Sequence, residues 1–251
     1  MNKTTDNLTP LDRHLDYLKL HFFTDNYEPL AKKAAHKQWD HVHYLGELAS
    51  AEADLRKDRA TQRRIRAARF PQIKTLEQFN WNWPKKINKM QVENLFRLNF
   101  IKEQSNVVFL GGVGLGKTHL ATALGYQACL KGHSVLFISA VDAINNLIAA
   151  QTTGRLKQEL KKYQKPSILC IDELGYLPID KTGADLLFQI ISKRYEHGSV
   201  IITSNRAFKD WPKIFNNDAT LTSALLDRFL HHAETVLIEG DSYRMKDAIK
   251  D

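Results

Sequence analysis

The segment Val107 to Thr118, VVFLGGVGLGKT, constrains the fold of this 251-residue chain more than any other. Four apolar residues suited to a buried strand run into Gly111, Gly112, Val113, Gly114, Leu115 and Gly116. Lys117 and Thr118 follow, and then an apolar helical stretch, His119 to Lys131. A strand, a glycine loop and a helix in that order define one βα unit. The glycines let successive backbone N–H groups turn inward, and the helix start adds its own unsatisfied N–H groups and positive dipole end. The pattern predicts a cradle for phosphate oxygens. Lys117 reaches the β- and γ-phosphates, and Thr118 offers a hydroxyl to Mg²⁺, a hard ion that takes few protein ligands.

The remaining punctuation predicts what surrounds that unit. Five short apolar runs, Val107–Leu110, Val135–Ile138, Ile168–Ile171, Val200–Thr203 and Val236–Ile238, are separated by helix-length segments. Near-continuous apolar strands suit a parallel sheet buried on both faces, and right-handed crossovers then give a doubly wound α/β domain over residues 106–251. From Pro10 to about Phe70 the texture is helical instead, with Leu11, Leu15, Leu18 and Phe22 on one stripe and Val42, Leu45, Leu48, Leu55 and Ile65 loosely continuing it. Residues 1–70 therefore read as a small all-helical domain for oligomerisation or for contact with a partner or DNA, its last helix stopped near Arg69 or Phe70 by Pro71. Residues 71–105 read as a linker, TLEQFNWNWPKK, leading into one helix from Asn88 to Lys102.

Several classes drop out. No apolar run approaches the roughly 20 residues of a membrane-spanning helix, and the N-terminus shows no signal-peptide h-region, so a cytoplasmic protein is expected. Cys129 and Cys170 have no metal-ligand spacing and sit in apolar surroundings, as reduced core residues would. Lys and Arg number 36 against 28 Asp and Glu, a net +8, which favours a polyanionic partner. The excess is clustered. Arg56, Lys57, Arg59, Arg63, Arg64, Arg66 and Arg69 fall within 14 residues, and Arg155, Lys157, Lys161, Lys162 and Lys165 within 11.

A second set of polar residues sits where doubly wound sheets bind ligands, at strand C-termini. The strand ending in Asp172-Glu173 places one carboxylate to hold Mg²⁺ and a second to polarise an attacking water. The next strand ends in Ser204-Asn205-Arg206, where Asn205 either orients that water or serves ordinary turn chemistry. Arg228, near the end of a helical stretch begun near Thr220, reads either as a guanidinium delivered to a neighbouring subunit's γ-phosphate or as a helix-terminal cation favoured by the dipole. His231 and His232 read as surface or capping residues, because no ligand spacing accompanies them. Trp81 and Trp83 are candidates for stacking on adenine or DNA, with linker packing the preferred reading.

Taken together, GGVGLGKTHLATALGYQA, SILCIDELGYLP, VIITSNRAFKDW, LLDRFLHHAETV and EGDSYRMKD resemble, in that order, the AAA+ ATPases of the initiator and helicase-loader group. The similarity is greatest to the IstB-type helper ATPases encoded beside insertion-sequence transposases. It covers about residues 75–243 in motifs and, more loosely, the helical N-terminal region. Helicase loaders of the DnaC type look similar in the same blocks. The resemblance implies a P-loop AAA+ fold and ATP with Mg²⁺ as cofactors. It makes Gly111 to Thr118 the Walker A loop, Asp172 and Glu173 the Walker B pair, Asn205 sensor 1 and Arg228 an arginine finger acting in trans. Arg244 matches the SYR motif at the ATP site. The 13 residues after Ile238 are too few for the helical lid that carries sensor 2 in the general plan, so no complete lid domain is expected. The helical stretch Ala140 to Tyr163 resembles an initiator-type insertion that lines a DNA path.

These readings converge on an ATP-dependent DNA-binding ATPase that assembles as a homo-oligomer on duplex DNA and assists a transposase. DNA binding is expected to run through Arg155, Lys157, Lys161, Lys162 and Lys165 to the phosphate backbone, since no base-reading motif is present. Both basic clusters also fit a plain solvated helix face, and Arg56 to Arg69 fits a subunit contact. A DnaC-like replicative helicase loader is the alternative. A small-molecule P-loop kinase is a third, and it leaves the basic segments and Arg228 without a role.

Overall fold

A computed structural model describes residues 9–245. The chain divides into two compact units between Arg63 and Arg64.

The first unit is helical. Helix α1 (Pro10–Tyr17) begins with a capping box, in which Thr9 accepts from the Asp12 amide while Asp12 takes the Thr9 amide, and Pro10 supplies the preset φ of the first turn. Helix α2 (His21–Lys37) stops where Gln38 turns left-handed, and α3 spans His41–Ala68. Glu52 of α3 is buried, accepting from the Phe22 amide at 2.7 Å and from Arg56 Nε at 2.9 Å. Burial alone would raise its pKa, but the bonds to Arg56 and Phe22 outweigh it and hold the carboxyl below its usual value. Arg56 also donates to the Lys19 carbonyl, so one ion pair fastens the α1–α2 corner to α3. Leu15, Ala34 and Leu48 are buried, whereas Leu11, Leu18, Val42 and Leu45 of the expected stripe are exposed. Among the described residues of this unit, three helices cannot cover every position of the stripe.

Helix α3 ends at Ala68 with Arg69 left-handed, close to the expected stop. Its last residues belong to the second unit, where Ala68 is fully buried and Arg64 Nε donates to the Cys129 carbonyl at 3.0 Å. Cys129 and Cys170 are both buried and free, as expected. Burial raises the Cys129 thiol to about 11 and pushes Cys170 up as well.

The second unit is a six-stranded sheet, one strand more than the five expected. The linker supplies the extra strand, β1 (Lys86–Ile87), antiparallel to the last strand, β6 (Ala233–Glu239). Between them come helices α4 (Lys89–Leu95) and α5 (Asn99–Lys102), strand β2 (Asn106–Gly111), helix α6 (Lys117–Leu130) and strand β3 (Val135–Ser139). Helices α7 (Ala140–Thr152) and α8 (Leu156–Gln164), strand β4 (Ile168–Leu174), helix α9 (Lys181–Arg194) and strand β5 (Ser199–Ser204) follow, then α10 (Trp211–Ile214) and α11 (Ala219–Leu230). Where one helix was expected from Asn88 to Lys102 there are two, broken by left-handed Leu98. The Ala140–Tyr163 stretch likewise splits into α7 and α8 around Gly154, whose φ is +69°.

The strand order is β1-β6-β2-β5-β4-β3, with every pairing parallel except β1 with β6. Strands β2, β4 and β5 are buried nearly throughout, as a central parallel sheet requires, while β6 alternates because only two-residue β1 covers its far edge. Alternate residues feed two cores. Val108, Leu110, Leu169, Ile171 and Ile202 face α7, α8, α9 and α11. Val107, Phe109, Cys170 and Ile201 face α6, α4 and the linker.

One buried cation fastens the crossovers. Arg194, at the end of α9, donates from Nη1 to the Tyr163 and Pro166 carbonyls at 2.8 and 3.0 Å and from Nη2 to Ser199 and Ser167 at 2.8 and 3.1 Å. It thus joins the end of α8, the entry to β4 and the start of β5. Arg194→Met leaves those carbonyls unsatisfied and is expected to cost about 3 kcal/mol in urea unfolding. Arg194→Lys should recover only a minor part, because a single ammonium cannot span the fork.

Candidate functional site

The C-terminal ends of β2, β5 and β4 converge on a cavity of about 870 Å³. The loop after β2 forms one wall. Gly114 and Gly116 have φ of +75° and +85°, and a Cβ on them would lie 2.1 Å from Ser242 Oγ and 2.7 Å from Phe79 Cε2. Glycine is therefore required twice, for backbone hand and for close packing. Helix α6 starts from Gly116 with no side-chain cap among the described residues, whereas α7, α9 and α11 on the same sheet are capped by Ser139, Asp180 and Asp218. Its first N–H groups stay free to meet an anion at the positive end of the helix. Lys117 Nζ donates to the Gly112 carbonyl at 2.6 Å. Desolvation holds the Lys117 ammonium below its usual pKa, an effect that Asp172 partly offsets.

Across the cavity floor, Thr118 Oγ1 donates to Asp172 at 3.0 Å from Oδ1 and 3.1 Å from Oδ2. A buried carboxylate and a hydroxyl brought together at a helix N-terminus are hard oxygen donors, so the pair fits Mg²⁺. Glu173, by contrast, is exposed and lines the cavity. Its φ is +60°, and the register of β4 against β5 slips between Ile171 and Leu174 around it. Asn205, just past β5, lines the same cavity.

The remaining lining comes from both ends of this unit. Linker residues Gln72, Lys74, Phe79 and Trp83 form one side, and Tyr243 with Arg244 another. The Tyr243 amide donates to the Gly114 carbonyl at 3.0 Å, and Trp83 Nε1 donates to the Asp241 carbonyl at 2.8 Å. Trp83 meets Tyr243 edge-on at 5.2 Å, while Trp81 packs on Phe79 inside the linker. His119 Nε2 lies 2.8 Å from the Thr75 carbonyl and fastens the linker to α6, its pKa lowered by desolvation. Sequence reasoning missed Phe79, Ser242, Tyr243 and above all Thr203. The aromatic cluster of the linker was the available signal for Phe79, and nothing local marked Thr203.

Other expected residues lie elsewhere. Arg228 does not line this cavity; its guanidinium stands 4.8 Å over the Phe188 ring, and Nη1 is buried without a partner among the described residues. Arg155, Lys157, Lys161, Lys162 and Lys165 are exposed on and beside α8, with Lys162 paired to Glu159. His231 and His232 are exposed, and no metal-binding group of three ligands occurs among the described residues. None of the described helices is long and apolar enough to cross a membrane.

Comparison with known proteins gives this geometry its context. The family described as IstB-like ATP binding protein matches residues 13–251. A chain named as an ATP-binding protein of insertion sequence IS232 from Bacillus thuringiensis subsp. berliner is 40% identical over 237 residues, 94% of each chain. That of insertion sequence IS21 from Pseudomonas aeruginosa is 39% identical, over 94% of this chain and 89% of the relative. Among solved structures, the AMPPCP-bound DnaA of Aquifex aeolicus aligns with a TM-score of 0.54 at 24% identity, covering 70% of this chain and 54% of that one. The DnaC helicase loader aligns at 0.53 and 23% identity, covering 66% and 96%. At those identities both show a shared AAA+ fold.

The glycine geometry generates a direct test. Gly114→Ala forces a side chain onto left-handed backbone and into Ser242, and is expected to weaken ATP binding by about tenfold or more, read by fluorescent-nucleotide titration, with far-ultraviolet circular dichroism unchanged.

Proposed function

This chain belongs to the IstB-like ATP-binding protein family of insertion sequences, and from that premise we propose that it is an ATPase that grips duplex DNA in its ATP-bound, oligomeric state and assists a transposase. The observation that carries the ATPase reading is the meeting of Thr118 with Asp172 beneath an uncapped helix start, with exposed Glu173 beside them. Backbone N–H groups from Gly112 to Thr118 cradle the β- and γ-phosphates, and Lys117 leaves the Gly112 carbonyl for them. Thr118 and Asp172 hold Mg²⁺, which supplies charge neutralisation at the phosphates when bound. Glu173 polarises the attacking water, Asn205 orients it, and Arg244 faces the phosphates from the same chain.

Arg228 completes the site of a neighbouring copy in this reading, which its position outside its own chain's cavity supports. Phosphoryl transfer asks the protein mainly for position and charge, and a guanidinium delivered to the γ-phosphate is worth about 10³ to 10⁵ in rate where it is known. Duplex DNA is held by exposed Arg155, Lys157, Lys161 and Lys165, with Lys162 released from Glu159. Service to a transposase is supported by relatives that are named as ATP-binding proteins of insertion sequences.

Three variants test the reading. Lys117→Ala is expected to weaken ATP binding by about 10- to 100-fold. Glu173→Gln should keep ATP bound while turnover falls by about 100-fold or more. DNA retention should require ATP, and Lys157→Gln with Lys161→Gln should flatten the slope of log affinity against log salt by about 0.9 for each DNA phosphate that is no longer neutralised. Equal DNA affinity with and without ATP would remove the proposed switch.

A further inference from the structure

We propose that Thr203 is the positioning residue for hydrolysis, its buried hydroxyl holding Glu173 in the one backbone conformation that turns the carboxylate into the ATP cavity. The proposal rests on the reading of that cavity as a hydrolytic site. Thr203 lies on β5, between the strand that carries the glycine loop and the strand that carries Asp172 and Glu173. It is 1% exposed. Its oxygen accepts the Glu173 amide at 2.9 Å and its hydroxyl proton goes to Asp172 Oδ1 at 2.5 Å. A hydroxyl is able to do both because it carries one proton and two lone pairs.

The need for this bond follows from strand geometry. Successive residues of a regular strand point to opposite faces, so an undisturbed β4 would send Glu173 away from the side that Asp172 occupies. The register slip between Ile171 and Leu174 breaks that alternation. Glu173 takes φ +60°, a region that is strained for an L-residue and persists only where its surroundings over-determine it. The Thr203 hydroxyl is the acceptor that meets the displaced Glu173 amide. One residue on, Ser204 Oγ donates to the Leu174 carbonyl at 2.7 Å, so the far side of the slip has its own strap. The strand tip is therefore fastened twice, and of the two straps it is that of Thr203 that holds the Glu173 backbone and the Asp172 carboxylate.

Steady-state ATP hydrolysis by the full chain decides the matter, with ATP binding and thermal melting measured alongside. Thr203→Val keeps the volume and β-branching while removing both bonds. It is expected to lower kcat by about 10- to 100-fold and to leave KM for ATP within about twofold. Thr203→Ser, which restores the hydroxyl, should return kcat to within about threefold of the parent. Because Thr203 acts through Glu173, adding Thr203→Val to Glu173→Gln should cost little beyond Glu173→Gln alone. If Thr203→Val melts below the assay temperature, Thr203→Ala against Thr203→Ser carries the same comparison. Turnover within about twofold of the parent, a loss expressed in KM, or a full further loss in the double variant overturns the proposal. If Glu173→Gln itself hydrolyses normally, the reading of the site fails and takes this inference with it. A normal Thr203→Val beside an inactive Glu173→Gln overturns the inference alone.

Discussion

The hydrogen bond from Thr118 to Asp172 closes the start of α6 onto the end of β4 across 54 residues of sequence. It exists only because β5 lies between β2 and β4 and brings its own tip to the same edge. In any order that separated β2 from β4 by two strands, the hydroxyl and the carboxylate would lie roughly another 4.8 Å apart, beyond a shared ligand. The polar groups that the sheet edge brings to the cavity follow from this placement. The glycine loop follows β2, Thr203 comes from β5 with Asn205 just past it, Glu173 comes from β4, and β6 on the far side of β2 returns the chain so that Tyr243 and Arg244 close over Gly114. The sheet is a scaffold for one edge.

Much of this was legible in the residues. A glycine loop between an apolar run and a helix has one common structural meaning, and the five apolar runs appear as the five parallel strands. The helical character of residues 10–68 and the stop of α3 shortly before Pro71 were equally readable, because proline acts locally. What the sequence could not carry was order. Periodicity reports which residues face a core and is silent on which strand neighbours which, so nothing in VIITSN marked Thr203 as the residue that bridges the Asp172 carboxylate and the Glu173 amide. The two-residue strand Lys86–Ile87 was invisible for a different reason, since it is too short to have a period and exists only by pairing with Glu239 and Ile238. Breaks at Leu98 and Gly154 were missed because the surrounding apolar spacing continues through them.

The left-handed Glu173 shows how strain and function share one position. A non-glycine residue at φ +60° is tolerated here because its amide and the following carbonyl are each taken by a hydroxyl of β5. The same two hydroxyls belong to a strand whose next residue, Asn205, lines the cavity. A change felt at the tip of β5 is thus transmitted to β4 through side-chain bonds rather than through the regular ladder, which is interrupted between Ile171 and Leu174. Packed interiors resist continuous deformation, and such straps tie the two strand tips to each other.

The cavity also has an asymmetry of charge. Lys74, Lys117 and Arg244 line it, with Glu173 their acidic neighbour on the rim. Lys117 is already partly desolvated, which shows in its lowered pKa, and a triphosphate would reverse that shift by returning a negative field to it. Arg228 stays outside, its guanidinium resting on Phe188 with Nη1 buried and without a partner among the described residues. A buried guanidinium nitrogen without an acceptor is costly, and cation–π contact recovers only about 0.5 to 2 kcal/mol. In the position that this side chain occupies, packing on Phe188 is gained and one donor is left unsatisfied.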